Sequence, residues 1–392
     1  MKKKGAGRFL FTIMAAGLLM GCRSSQGEAP ALAEGIEAEG RERAEADQEK
    51  GKEGQAGVEA AVFYYTYSDA YVGSVHTALD AALEEKGISY QNYDANNNQK
   101  TQNEQIDVAI AQGADVLVVN IVTAGLEDAS MDIINKAKAA DIPVIFFNRT
   151  VESDGNEGIV LGSYEKCAFV GTDAPQAGHM QGKMAGEYLL KHYETVDLNG
   201  DGIIQYALFM GQRDNVEAIA RTQYGVEDAN AVLTAAGKPE LEYFDASNVN
   251  KFQVDENGAW STTAAYDYMT ENLLQYNEMN GNMIEAVICN NDSMAEGAIA
   301  ALNEAGYNLG SGNGITIPVF GVDATDSAIG LITRGKMAGT IKQDAEGMAR
   351  GIAHLIQNVS QDKELLADTE DFMLDADLSN KIYIPYSVYT GE

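Results

Sequence analysis

Basic residues are scarce: 27 Lys and Arg stand against 59 Asp and Glu, a formal net charge of −32 over 392 residues. Phosphate contact needs a cationic face, so nucleic-acid binding is excluded as a role. Cysteine is nearly absent, and Cys22, Cys167 and Cys289 cannot make a disulfide framework. Cys167 and Cys289 read as small buried side chains. The chain carries neither a nucleophile-elbow nor a dinucleotide-binding signature. The N-terminal apolar run, FLFTIMAAGLLM, has twelve residues, too few for a stable membrane-spanning helix of about 20.

That run is informative by its surroundings. Lys2, Lys3, Lys4 and Arg8 precede it and Gly21-Cys22 follows, the layout of a signal peptide over 1–22. LMGC resembles the bacterial lipobox, which implies a lipidated Cys22 as the first mature residue; the alternative is a plain secretory signal cut elsewhere. Residues 23–57 hold no aromatic side chain and are rich in Glu, Ala and Gly. Such a stretch cannot bury enough apolar surface to offset its ordering entropy, so it is expected to be a disordered acidic tether. The membrane is then met through the lipid anchor alone.

From residue 58 onward the sequence alternates short β-rich runs with helical periodicity. AAVFYYTY, SYQNYDA, DVLVVNIV and PVIFFN are strands, while VHTALDAALEEKG and QNEQIDVAIAQG repeat apolar residues at helical spacing. The beat continues through CAFVGTD, IIQYALFMG, MIEAVICNN, IPVFGVD and MAGTIKQ. These are parallel βαβ units, and 335 residues of them exceed one core, so the fold class is α/β with two doubly wound parallel-sheet lobes.

Ligands of open α/β sheets bind beyond the carboxyl ends of the strands. Asp69, Tyr71, Asn120, Arg221, Asn291, Asp323 and Gln343 all fall at such ends. Each alone is as well explained by a helix cap or a surface turn. Together they predict a polar cleft between the lobes.

DLNGDGIIQ, residues 197–205, reads as the first nine positions of a calcium-binding EF-hand loop. The twelfth position, where that loop needs a bidentate Glu, is instead Leu208, inside a strand.

The motifs QNEQIDVAIAQGADVLVVN, GTDAPQAGHMQG, DLNGDGIIQ, EAVICNNDSMAEGAIAAL, IPVFGVDA and MAGTIKQDA occur in the order found in a known family. Over nearly all of 58–392 the chain resembles the periplasmic and lipoprotein sugar-binding proteins of ABC transporters, in particular the galactose/glucose-binding proteins. The resemblance implies a calcium cofactor held by Asp197, Asn199, Asp201, the Ile203 carbonyl and Gln205, with the remote Glu285 as the closing bidentate carboxylate. It implies that Tyr71 and Trp260, the sole Trp, sandwich a pyranose ring. Asp69, Asn120, Asn215, Glu217, Arg221, Asn291, Asp323 and Gln343 would hydrogen-bond its hydroxyls. Asn215, Glu217 and Gln343 depart from the family's His, Asp and Asn, and Tyr71 from its Phe.

By the same resemblance the chain crosses between lobes near 142, 343 and 382. The first lobe would comprise 58–142 plus 344–382, the second 143–343 plus 383–392. The implied activity is capture of a monosaccharide, glucose or galactose, by hinge closure, and delivery to an ABC permease and its ATPase subunit by a monomer anchored outside the cytoplasmic membrane. A sugar-sensing subunit for a membrane receptor or kinase uses the same closed form. A glycosidase would need opposed carboxyl groups across a scissile bond.

Overall fold

The computed structural model describes residues 57–391 apart from 311 and 313. The signal peptide, Cys22 and the tether, except Gly57, lie outside the described residues. Within them no helix is long and apolar enough to cross a membrane.

Two mostly parallel sheets of seven strands each form the frame. The first contains β1 (Glu59–Tyr64), β2 (Ser89–Asp94), β3 (Val116–Val119), β4 (Val144–Phe147) and β5 (Cys167–Gly171). The second contains β6 (Gln205–Met210), β7 (Glu242–Tyr243), β8 (Gln253–Val254), β9 (Ala286–Cys289), β10 (Val319–Asp323) and β11 (Gly339–Lys342). Near the C-terminus β12 (Met373–Leu374) and β13 (Lys381–Tyr383) return to the first sheet, and β14 (Ser387–Tyr389) joins the second.

Alternation explains why the central strands are apolar throughout. In β1, Ala60, Val62 and Tyr64 face a core shared with helices Ala70–Lys86 and Ala345–Ser360, while Ala61 and Phe63 face helices Gln99–Gln112 and Glu127–Ala140. In β6, Tyr206, Leu208 and Met210 face helices Ala174–Lys191 and Val216–Ala235, while Ala207 and Phe209 face Thr262–Gln275 and Asp292–Glu304. A sheet covered on both faces by crossover helices has no solvent side for polar residues. Each fully buried Val, Leu or Phe adds about 1.5–3 kcal/mol, and the pattern pins the register.

The lobe boundaries differ from the sequence expectation. β4 pairs with β3 and β5 pairs with β4, so 144–171 belongs to the first sheet rather than to the second lobe. The first crossing follows Gly171, not residue 142. The third also moves, because Tyr383 pairs with Gly171 in the first sheet and Ser387 pairs with Lys342 in the second, placing the crossover at 384–386. The crossing at 343 stands where it was expected, between β11 and the helix that begins at Ala345. An apolar strand reads the same in either sheet, and only its hydrogen-bonded neighbour assigns it.

Candidate functional site: a cleft between two sheets

Because the strands are parallel, their carboxyl ends converge on one side of each sheet, and a cavity lies between these ends. Its empty space is about 380 Å³, a figure that includes the part open to solvent. Nine of the ten sequence-predicted residues line it: Asp69, Tyr71, Asn215, Glu217, Arg221, Trp260, Asn291, Asp323 and Gln343. All nine except Asp69 are buried.

Helix capping and cavity lining coincide at three of them. Asp69 Oδ1 accepts from Val72 N at 2.9 Å, Asn215 Oδ1 from Ala218 N at 3.0 Å and Asn291 Oδ1 from Met294 N at 3.0 Å. One oxygen of each side chain holds the helix start, which fixes the direction of the remaining polar atom. The cap reading and the ligand reading are thus compatible.

Asn120 differs from expectation. It is fully buried behind the wall, where Oδ1 accepts from Tyr65 N at 3.3 Å and Nδ2 donates to Phe147 O and to Asn148 Oδ1, each at 3.1 Å. Its polar atoms are spent on the chain, so it supports Tyr65 and Asn148, which do line the cavity. Tyr65, Asn148 and Arg149 escaped the sequence reading. Asn148 and Arg149 follow β4, so the strand-end rule that found Asp323 and Gln343 could have found them; Tyr65 was hidden in an aromatic run that reads as core.

Arg221 organises the second-lobe wall. Its Nη1 donates to Asn290 O at 2.9 Å, and Nη2 to Tyr386 Oη at 3.2 Å and Gln343 Oε1 at 3.3 Å. The Nε of Arg221, Nε2 of Gln343 and Nε1 of Trp260 have no protein partner. A buried donor without a partner is costly, by about 1–3 kcal/mol, and three from one wall fit a ligand rich in oxygen. Burial pushes Asp323 well above the usual carboxylate range; Arg221 opposes this, and Asp292 and Asp69 reinforce it. Asp292, fully buried beneath the wall, is pushed up to about 7 by burial, although Thr340 Oγ1 and Thr325 N donate to it.

Backbone strain is concentrated here too. Asn148, Trp260 and Asp323 have φ of 60°, 55° and 128°. Such conformations cost on the order of 1–3 kcal/mol each and collect at ligand clamps.

A second cluster lies at the opposite ends of β6 and β9. Asp197 Oδ1 accepts from Gly200 N at 2.8 Å and Oδ2 from Gly202 N at 2.9 Å. Asn199 and Asp201 accept from Asp201 N and Ile203 N, each at 2.8 Å. Asn199 and Gln205 side chains meet at 3.0 Å, and Gln205 Nε2 donates to Asp201 Oδ2 at 3.0 Å. The remote Glu285 closes the ring, accepting from Leu198 N at 2.6 Å and from Asn199 N and Gln205 N at 3.1 Å. Its residue is wholly buried, and desolvation pushes its carboxyl up to about 7 against the pull of those three amides. Among the described residues no group of three or more His, Cys, Asp or Glu is spaced to hold a metal ion. The donor set here is instead mixed: three carboxylates, two amide side chains and the Ile203 carbonyl, all offering oxygen. That chemistry fits a hard cation, which would neutralise the buried Glu285 beside Asp197 and Asp201.

The family described as Periplasmic binding protein domain matches residues 60–364. The chain is 32% identical over 310 residues to the D-galactose/methyl-galactoside binding periplasmic protein of Haemophilus influenzae, covering 79% of this chain and 83% of that one. It is 26% identical over 277 residues to the D-xylose-binding periplasmic protein of Escherichia coli, covering 70% and 69%. An ABC transporter periplasmic solute binding protein of Actinobacillus succinogenes with bound D-allose superposes with a TM-score of 0.64 at 19% identity, covering 85% and 98%. That last likeness concerns the fold, and it agrees with the two-sheet frame. With a family match over most of its length and a cleft at the carboxyl ends of both sheets, this chain belongs to the periplasmic binding proteins, solute-binding transport proteins rather than enzymes.

Proposed function

We propose that the chain captures a monosaccharide, glucose or galactose, between its lobes and hands it to an ABC permease driven by an ATPase subunit. The observation that carries this reading is the pairing of Tyr71 from the first lobe with Trp260 from the second on one cavity whose other lining side chains, Val72 apart, can hydrogen-bond. Sugar rings present C–H faces of slight positive potential, which aromatic faces attract, and hydroxyl edges, which carboxylates and amides bind. Contact with both lobes gives the closed form its higher affinity, which is what shifts the open–closed population. The relatives named for galactose and for xylose support the sugar class. Asn215, Glu217 and Gln343 make the choice among sugars this chain's own.

Calcium is the proposed cofactor of the 197–205 loop. Asp197, Asn199, Asp201, the Ile203 carbonyl, Gln205 and Glu285 would hold it, and its contribution is to tie the loop to the strand that follows Glu285. Lipidation of Cys22 is the proposed anchor, on the outer side of the cytoplasmic membrane.

Titration calorimetry of the purified mature protein against glucose, galactose, xylose and arabinose tests the central claim, with Trp260 fluorescence as a second readout. Saturable binding of an aldose, accompanied by a change in Trp260 emission, is expected. Absence of binding to every aldose, or binding undiminished in Trp260→Ala, refutes the site.

A further inference from the structure

The indole of Trp260 rests on a glycine that has no room for a side chain while the ring lies where it does. A Cβ built on Gly211 would lie 2.1 Å from both Cδ2 and Cε3 of Trp260 and 2.8 Å from Cε2. Equal distances to the first two atoms, with the third farther by this amount, put that point above the ring plane, over the Cδ2–Cε3 bond of the six-membered ring. Backbone therefore covers one face of the indole. Gly211 itself is not on the cavity wall, whereas Trp260 is.

Five further contacts surround this arrangement. Gly211 N donates to Asn290 Oδ1 at 3.2 Å, and Asn290 is fully buried with its Nδ2 donating to Thr222 Oγ1 at 3.1 Å. The carbonyl of the same Asn290 accepts from Arg221 Nη1, so one residue sets both the seat of Trp260 and the reach of Arg221. The Trp260 carbonyl is held by Asn291 Nδ2 at 3.3 Å, which sustains the left-handed backbone at φ 55°. The Arg221 guanidinium carbon lies 5.7 Å from the indole centroid.

We infer that Gly211, secured by Asn290, is a positioning residue that sets the depth at which Trp260 meets the ligand. Gly211 has φ outside the left-handed region, so alanine suits its backbone, and the three atoms nearest to the added methyl of Gly211→Ala all belong to the indole. The added methyl drives the ring off its seat and into the space a sugar ring would fill. The inference rests on the sugar-binding reading for its effect on affinity, but not for the seat itself.

The test is a double-mutant cycle among wild type, Gly211→Ala, Trp260→Phe and the double variant, read by aldose affinity and, for the two Trp-containing proteins, by emission without sugar. Gly211→Ala is expected to weaken the best aldose roughly tenfold, an amount comparable to losing one stacking contact. It should also alter sugar-free Trp260 emission and acrylamide quenching. In the Trp260→Phe background, where the smaller ring can yield, the same substitution should change affinity less than threefold. Unchanged emission in Gly211→Ala, or an equal loss of affinity in both backgrounds, overturns the inference. If Gly211→Ala fails to fold, folding of the double variant supports the seat, and failure of both overturns it. If wild type binds no aldose, the sugar reading falls while the sugar-free emission still decides the seat.

Discussion

Arg149 of the first lobe reaches Gln212 of the second, its Nη2 donating to Oε1 at 3.1 Å. The guanidinium is held on its own side by Ile121 O at 2.8 Å and Val122 O at 3.0 Å, and its central carbon lies 4.2 Å from the centroid of the Tyr65 ring. Tyr65 in turn donates to Asp69 at 2.6 Å. A rigid arm thus meets a partner across the cleft, one that would swing away in the lobe opening proposed above. Gln212→Ala removes the crossing bond and leaves the arm intact. A hydrogen bond to a charged group is worth about 1.5–3 kcal/mol, so apparent aldose affinity should fall at least tenfold. Small-angle scattering should also show a more open sugar-free protein; identical affinity and scattering would rule out a latch.

Calcium removal should lower the melting temperature. A ligand present at 100 times its dissociation constant adds about 2.7 kcal/mol to the folded state. Chelation is therefore expected to shift the melt by several degrees, and Glu285→Gln to abolish that response. A melt indifferent to chelator in the wild type excludes a bound ion at working concentrations.

Asp292 predicts an acid-favoured stability component. Its folded pKa, pushed up to about 7 by burial, exceeds the ordinary value of 3.8, with Glu296 adding like charge. The folded protein then holds a proton that the unfolded chain has released, so this contribution is complete below about pH 4 and is lost as pH rises through about 7. Between pH 5 and 8 the denaturant midpoint should fall in wild type and fall less in Asp292→Asn. Equal slopes in the two proteins would assign the pH dependence elsewhere.

Selectivity should move with Asn215 and Glu217. Asn215 also caps the helix Val216–Ala235, so Asn215→His is expected to lower stability by about 1 kcal/mol as well as change the pocket. Combined with Glu217→Asp, it should raise the preference for glucose and galactose over other aldoses. Unaltered relative affinities across the panel would show that these two positions do not choose the sugar.

Cys22→Ser should move the protein from the membrane to the soluble fraction. Mass spectrometry of the wild type is expected to find acyl chains on Cys22. A membrane-bound serine variant would point to another means of attachment.

Much of this was legible in the sequence, and the failures have particular causes. The strand-end rule located six cavity residues, Asp69, Tyr71, Arg221, Asn291, Asp323 and Gln343, because parallel strands put all their carboxyl ends on one side, while family likeness supplied Asn215, Glu217 and Trp260. It overreached at Asn120, which is at a strand end but turns its amide inward to Tyr65 and Asn148. It fell short at Tyr65, where a phenol that bonds Asp69 looks like its core-facing neighbours Phe63 and Tyr64. The lobe assignment of β4 and β5 was not readable, since VIFF and CAFVG carry no mark of the strand each will pair with. The Glu285 closure of the 197–205 loop spans some eighty residues, and no local pattern announces it; family likeness pointed to it, and the bonds to Leu198, Asn199 and Gln205 bring the pieces together.

β6 begins at Gln205, in the oxygen-rich loop, and ends one residue before Gly211, the seat of Trp260. Its neighbour β9 begins just after Glu285 and ends just before Asn290 and Asn291. About 20 Å of fully covered strand separates the two ends. Inheritance can therefore rewrite one end while the other is left alone: drift at the mouth reshapes the cleft without touching the oxygen-rich loop, and drift at the far pole reshapes the loop without touching the cleft. A lineage that meets a new carbohydrate need change only a few side chains at the mouth, without re-inventing the body that carries them.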